Sequence, residues 1–306
     1  MAFPNQQPIA AAASLDNAVG FALPGRHARG RLVRLGPVLE EILSAHAYPA
    51  PIARVLGEAL VLTALLGATL KDAGGQLTLQ AQTENGIVDL LVADYRGGEL
   101  RGYVRFDPER LAEEPGQPSL SALFGKGYLA ITFDQAVSNE RYQGIVPLEG
   151  ESLAEAAEHF FGQSEQIPSL VRIAVGDSGR IAGGILLQHL PEGEEGRERL
   201  HTRLDHPEWD HVRILGETVR AGELTDPALP LEDLLWRLFH DEEEVRLLST
   251  TPLVRGCRCN AEHVRSVLAR FAPEERAEMA DESGNIGVDC EFCSKVFVVR
   301  NSELDA

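Results

Sequence analysis

All four cysteines of this 306-residue chain fall in its last fifty residues, Cys257 and Cys259 as C-x-C and Cys290 and Cys293 as C-x-x-C. A segment of this size buries too little apolar surface to be secure by itself. Two close cysteine pairs separated by residues 260–289 supply what it lacks, because four thiolates from two short segments make a metal site. The filler fits such a module. Asn260 can cap a helix running to about Phe271, Pro273 opens a second helical stretch, and "GNIGVDCEFCSKVFVV" reads as turn, strand, metal knuckle and returning strand. Four thiolates also hold iron–sulfur clusters, but a helix followed by a hairpin looks more like a zinc knuckle. Structural zinc contributes ~10–16 kcal/mol to the folding of such units, so loss of the metal should unfold the module.

The C-x-C pair adds a second expectation. In extended chain, Cα atoms two residues apart lie ~6.5–7 Å from each other, near the ~6.8 Å upper limit for a disulfide. Oxidation would therefore bend a backbone shaped to hold metal. Metal-bound thiolates are already deprotonated and remain open to strong oxidants. The spacing is compatible with a redox switch, and a purely structural zinc ribbon is the alternative.

The rest of the chain narrows the function. A net charge of −19 disfavours nucleic acid and anionic lipid, whose phosphates call for Lys and Arg. Residues 257–306 carry six Lys/Arg against ten Asp/Glu, the wrong balance for a nucleic-acid zinc ribbon. Residues 1–25 have no basic n-region or continuous apolar stretch and read as a poorly ordered leader, not a secretory signal. The cytoplasm is the expected compartment, where thiols stay reduced. The most apolar stretch, residues 51–71, contains Arg54 and Glu58 and reads as a buried helix in preference to a membrane span.

Along the chain, residues 36–46 and 51–71 predict helices. Residues 76–82, 87–94, 99–106 and 128–134 predict strands divided by turns such as Glu84-Asn85-Gly86 and Gly97-Gly98. The short connections favour antiparallel pairing. Ser152 with Glu155 reads as a capping box, and strands follow at 169–175 and 180–190. The fold class is α+β: a mainly antiparallel core domain at 26–190, a helical linker at 191–254 and a four-cysteine zinc-binding domain at 255–306. The linker carries helical patterns at 208–222 and 231–245, the second with Leu231, Leu234, Leu235 and Leu238 in one stripe.

The cysteine spacing, together with "RGRLVRL", "YPAPIARVLGEALVLTALLGATLK", "GKGYLAIT", "RYQGIVPLEG", "SEQIP", "AGGILLQ" and "LLWRLFHDEEEV" in that order, resembles the redox-regulated 33 kDa heat-shock chaperone family over about residues 29–300. The resemblance implies an ATP-independent holdase, not an enzyme. Reduced, Cys257, Cys259, Cys290 and Cys293 would bind one Zn2+ and the protein would be inactive. Oxidised by hypochlorous acid, or by peroxide with heat, it would release zinc and form the disulfides Cys257–Cys259 and Cys290–Cys293. The module and linker would then unfold, and a homodimer would capture unfolding client proteins.

Other motifs carry less. Gly-Asp-Ser-Gly at 176–179 places Ser178 in a turn between two strands, not in a catalytic site. His201, Asp205, His206, Asp210 and His211 could ligate a second metal, though exposed helix ends have the same composition. Trp236 is expected in core or interface packing. "LFGKGY" lacks the phosphate-loop spacing, so no nucleotide is implied, and no catalytic constellation stands out. The competing readings are a structural zinc-ribbon scaffold and a thiol–disulfide oxidoreductase using Cys290 and Cys293, which would leave Cys257 and Cys259 without a task.

Overall fold

The computed structural model describes residues 15–70, 74–114, 116–136, 140–190 and 207–304. Two antiparallel-rich sheets enclose one long helix. The first sheet runs β10-β1-β2-β9-β8, from β1 (Asn17–Leu23), β2 (Ala28–Leu35), β8 (Ser169–Val175), β9 (Ala182–His189) and β10 (Arg246–Pro252). The second runs β11-β5-β4-β3-β6-β7. Its strands are β3 (Gln76–Glu84), β4 (Val88–Arg96), β5 (Glu99–Phe106), β6 (Lys126–Gln135), β7 (Glu140–Pro147) and the short β11 (Val254–Arg255).

Between them lies α2 (Ala50–Gly67), reached from α1 (Pro37–Leu43) through the Pro49 turn. Helix α2 is long and apolar enough to cross a membrane, yet 72% of its apolar window is buried inside the fold. A helix apolar all round is expected where both flanks are covered, and α2 packs on β4 and β5 on one side and β9 and β2 on the other. In β3, Leu77, Leu79 and Ala81 face this core while Gln76, Thr78 and Gln80 point outward, the period-2 pattern of a half-covered sheet. Strand β9 is buried at every position, because helices cover both of its faces.

Those second-side helices come from the expected linker. α6 (Pro207–Glu217), α7 (Ala221–Thr225) and α8 (Leu231–Phe239) lie on the outer face of the first sheet. Trp209, Val212, Leu234, Leu235 and Phe239 bury themselves against Phe21, Leu32, Ile185 and Leu187. Two shorter helices, α3 (Pro108–Glu113) and α4 (Leu120–Phe124), decorate the second sheet, and α5 (Leu153–Phe160) packs between β7 and β8. Ser152 caps α5 by accepting the Glu155 N–H, but the Glu155 carboxylate accepts from Glu151, one residue earlier than the expected box.

Three expectations change. The leader cannot extend to residue 25: β1 spans Asn17–Leu23 with Phe21 fully buried, because Val19, Phe21 and Leu23 alternate onto the face that α8 covers. Residues 246–252 continue the first sheet as β10 instead of remaining helical linker. Trp236 is 64% exposed and lies outside the core, since the leucine stripe of α8 takes the buried face. Residues 191–206, with His201, Asp205 and His206, lie outside the described residues.

A single stretch then links both sheets. β10 pairs with β1, Leu253 is buried in the main core and its N–H donates to Asp16, and β11 runs parallel to β5. The Gly256 N–H donates to the Leu100 carbonyl, and Cys257 follows. The C-terminal module contains α9 (Ala261–Leu268), α10 (Pro273–Met279), β12 (Asn285–Asp289) and β13 (Val296–Arg300). Its core consists of Val264, Leu268, Ile286, Phe297 and Val299.

Candidate metal centre

The module folds as its spacing requires. The Asn260 side chain accepts from the His263 N–H and starts α9. Antiparallel pairing of β12 with β13 carries Cys290 and Cys293 on the turn between them. Cys290 accepts N–H groups from Cys293 and Ser294 at its carbonyl, and donates its own to Lys295. This tight turn aims both thiols at the C-x-C segment.

All four sulfurs lie within 4.8 Å of one another. Cys257 and Cys259 are 3.3 Å apart, Cys257 and Cys290 3.6 Å, and Cys259 and Cys293 3.4 Å. A tetrahedral zinc with Zn–S bonds of ~2.3 Å requires sulfur separations of ~3.8 Å. These three separations are thus within about half an ångström of a zinc-sized tetrahedron, and they are far from the ~2.05 Å of a disulfide. The donor set and its geometry fit a four-thiolate metal site. Contacts across the two segments are only 0.1–0.3 Å longer than the contact within the C-x-C.

The electrostatics also favour a cation. Burial, followed by contacts with the other thiols, pushes Cys259 strongly up, and burial pushes Cys290 up. Burial opposes ionisation of Cys293 too, but the Lys295 amide and the neighbouring thiols outweigh it and bring this thiol to about 7. One thiolate forms readily and the next ones meet its charge. A divalent cation relieves that repulsion. Cys257, Cys259 and Cys293 line an open cleft with Glu41, Arg255 and Lys295.

The knuckle is docked, not free. Phe292, between Cys290 and Cys293, lies under the Arg101 guanidinium at 4.0 Å and meets Tyr103 edge-on at 4.9 Å. Asp94 holds Arg101 from the other side, accepting from its Nε at 2.8 Å. Ser294 donates to the Ala45 carbonyl, Arg258 donates to Gln76, and His46 Nε2 lies 2.9 Å from the Glu291 carbonyl. Arg255 reaches Glu41 at 3.0 Å. Sequence reasoning missed these partners; an aromatic inside C-x-x-C was the one available signal.

The remaining candidates stay apart. Ser178 sits in the β8–β9 turn, where Gly176 and Ile181 pair and Gly179 has φ +68°. Asp210 is exposed, and His211 Nε2 lies 2.7 Å from Glu242, which also accepts from Arg26. Among the described residues, the four cysteines form the one cluster with metal-ligand geometry.

A two-sheet α+β body with amphipathic helices laid on one sheet and a docked four-thiol knuckle at its C-terminus defines a narrow structural class. The model of one family, described as "Hsp33 protein", matches residues 16–300. The chain is 44% identical to the 33 kDa chaperonin of Caulobacter vibrioides over 294 residues, covering 92% of this chain and 94% of that protein. It is 38% identical to the 33 kDa chaperonin of Shewanella loihica, covering 91% and 90%. The crystal structure of the 33 kDa chaperonin from Thermotoga maritima superposes with a TM-score of 0.76 at 25% identity, covering 95% of this chain and 97% of that one. The chain belongs to the Hsp33 family of chaperones.

Proposed function

We propose that this chain is a cytoplasmic, ATP-independent holdase whose activity is set by the oxidation state of its four cysteines. The observation that carries the reading is the four-sulfur cluster placed at the end of the strand that joins both sheets. Cys257, Cys259, Cys290 and Cys293 would hold one Zn2+, which when bound keeps the thiols as thiolates and ties the two segments together. Oxidation would join Cys257 to Cys259 and Cys290 to Cys293. Each pair of thiolates loses two electrons as its S–S bond forms, and one hypochlorous acid with one proton from water takes them to give chloride and water.

Zinc would leave with its ligands, and the module's five-residue core is too small to hold without it. The linker, 191–254, would follow. Its helices bury an apolar face against the first sheet while docked, so their release exposes adhesive surface on both partners. That surface would capture unfolding clients and support a homodimer, with the acidic exterior keeping the complexes dispersed.

Light scattering from a chemically denatured, aggregating client tests this. The reduced, zinc-loaded chain should leave aggregation unchanged, and the chain treated with hypochlorous acid should suppress it. Peptide mapping should find the two neighbouring disulfides. Equal suppression by both forms would remove the redox control, and suppression by neither would end the holdase reading.

A further inference from the structure

Among the described residues, Arg34 on β2 is the bulkiest fully buried side chain, 1% exposed, and its hydrogen bonds go to no carboxylate, Asp226 and Glu232 acting on its charge only at longer range. Its guanidinium is satisfied by main chain alone. Nε donates to the Leu224 carbonyl at 2.8 Å, Nη2 to the Glu223 carbonyl at 2.8 Å, and Nη1 to the Leu229 carbonyl. All three acceptors belong to the helical linker. Glu223 and Leu224 lie in the last turn of α7, where carbonyls lack intrahelical partners.

The cross-strand neighbour of Arg34 on β9 is Gly183. It leaves the space that α7 fills: a Cβ there would collide with the Leu224 carbonyl oxygen and lie 3.0 Å from its carbon and 3.1 Å from the Val33 oxygen. One strand thus offers a fork of donors and the next offers room for the acceptors.

We propose that the Arg34–Gly183 pair is the latch that keeps the linker docked and so holds the reduced protein inactive. A cation is suited to this task in a way a leucine is not. Docked, its donors fit three carbonyls in fixed directions, which specifies the position of α7 and not merely its burial. Released, the guanidinium and the carbonyls regain water, so the open state is not penalised by stranded polar groups. An apolar contact would stay buried or become sticky with no such balance. The contact lies on the opposite sheet from the thiol knuckle, so it sets how readily the linker lets go without touching the metal ligands. The inference rests on the proposed function for its biological meaning, but the docking itself can be measured independently.

The test uses the full chain, reduced and zinc-loaded, as wild type, R34M, R34K and G183A. Amide hydrogen exchange is followed in residues 207–239 and, as a folding control, in β3–β6. The expected result is at least tenfold faster exchange over α7 and α8 in R34M and G183A, a smaller increase in R34K, and unchanged β3–β6. Should R34M lose protection in β3–β6, G183A decides, since it disturbs the same docking while Arg34 stays intact. Wild-type exchange in the linker of folded R34M or G183A would overturn the latch. The same samples are assayed for client holding without oxidant. Released linker with client holding supports both the latch and the proposed function. Released linker without client holding keeps the latch and refutes the linker's part in chaperone action.

Discussion

Substituting Phe292→Ala should loosen the thiol knuckle without touching a ligand. The ring is held by Arg101 at 4.0 Å and by Tyr103 at 4.9 Å and 83°. A partly exposed cation–π contact contributes about 0.5–1 kcal/mol and an edge-on aromatic pair about 0.5–1.5 kcal/mol beyond its area. Their loss removes about 1–2.5 kcal/mol of docking, which is roughly a 5- to 70-fold rise in the undocked population. Ser294, Arg258 and His46 still hold the remaining edge, so the module should stay folded. The assay is the rate of zinc transfer from the reduced chain to excess chelator, with a coloured indicator. If undocking precedes release, that rate rises by the same factor, while R101M, which removes the cation and leaves Asp94 with the Thr78 hydroxyl, gives a comparable acceleration. An unchanged rate in F292A with full zinc loading would refute the claim that docking protects the centre.

Further outcomes follow from the same contacts. Cys290→Ser should abolish high-affinity zinc binding and unfold residues 257–304, a loss of order 10 kcal/mol to that module, visible as protease sensitivity confined to the C-terminus. Leu234→Ala, fully buried between α8 and the first sheet, should cost about 2–5 kcal/mol and appear as faster amide exchange in the linker of the reduced protein. Burial pushes Glu242 up, but hydrogen bonds from Arg26 and His211 outweigh it and hold its carboxyl below the usual range. A depressed carboxylate stabilises above its unfolded value of about 4.3 and loses that contribution as pH falls through the folded value. Linker protection, taken as exchange relative to the intrinsic rate at each pH, should therefore fall in acid, and E242Q should be loosened near neutral pH but show a flatter acid response.

The sequence disclosed some of this better than the rest, for physical reasons. The convergence of the four cysteines was legible because two close pairs on short segments can meet at one point, as the four sulfurs do. Strands β3–β6 were legible because one face meets the core and the other water, so Leu77, Leu79 and Ala81 alternate with polar neighbours. β1 escaped because Ala18 and Gly20 dilute its alternation, and β10 because an edge strand with every residue but Thr251 exposed carries no burial pattern. Arg34 reads as one more surface arginine of "RGRLVRL"; only the arrival of α7, nearly two hundred residues later, makes it an interior group. The fit of Phe292 between Arg101 and Tyr103 is equally invisible in one dimension.

The stretch from Arg246 to Cys257 has a mechanical consequence. It is the outer strand of one sheet, a core peg at Leu253 and the outer strand of the other sheet before it becomes a thiol ligand. Tension or slack arising at the sulfurs is therefore transmitted by covalent backbone, with no relay of side chains and no diffusing signal. Under the proposed oxidation switch, sheet register at both edges would become a readout of sulfur chemistry. A few glycines and serines inserted between Gly256 and Cys257 would leave every contact available yet absorb the displacement, separating the sensing end of the molecule from the end that responds.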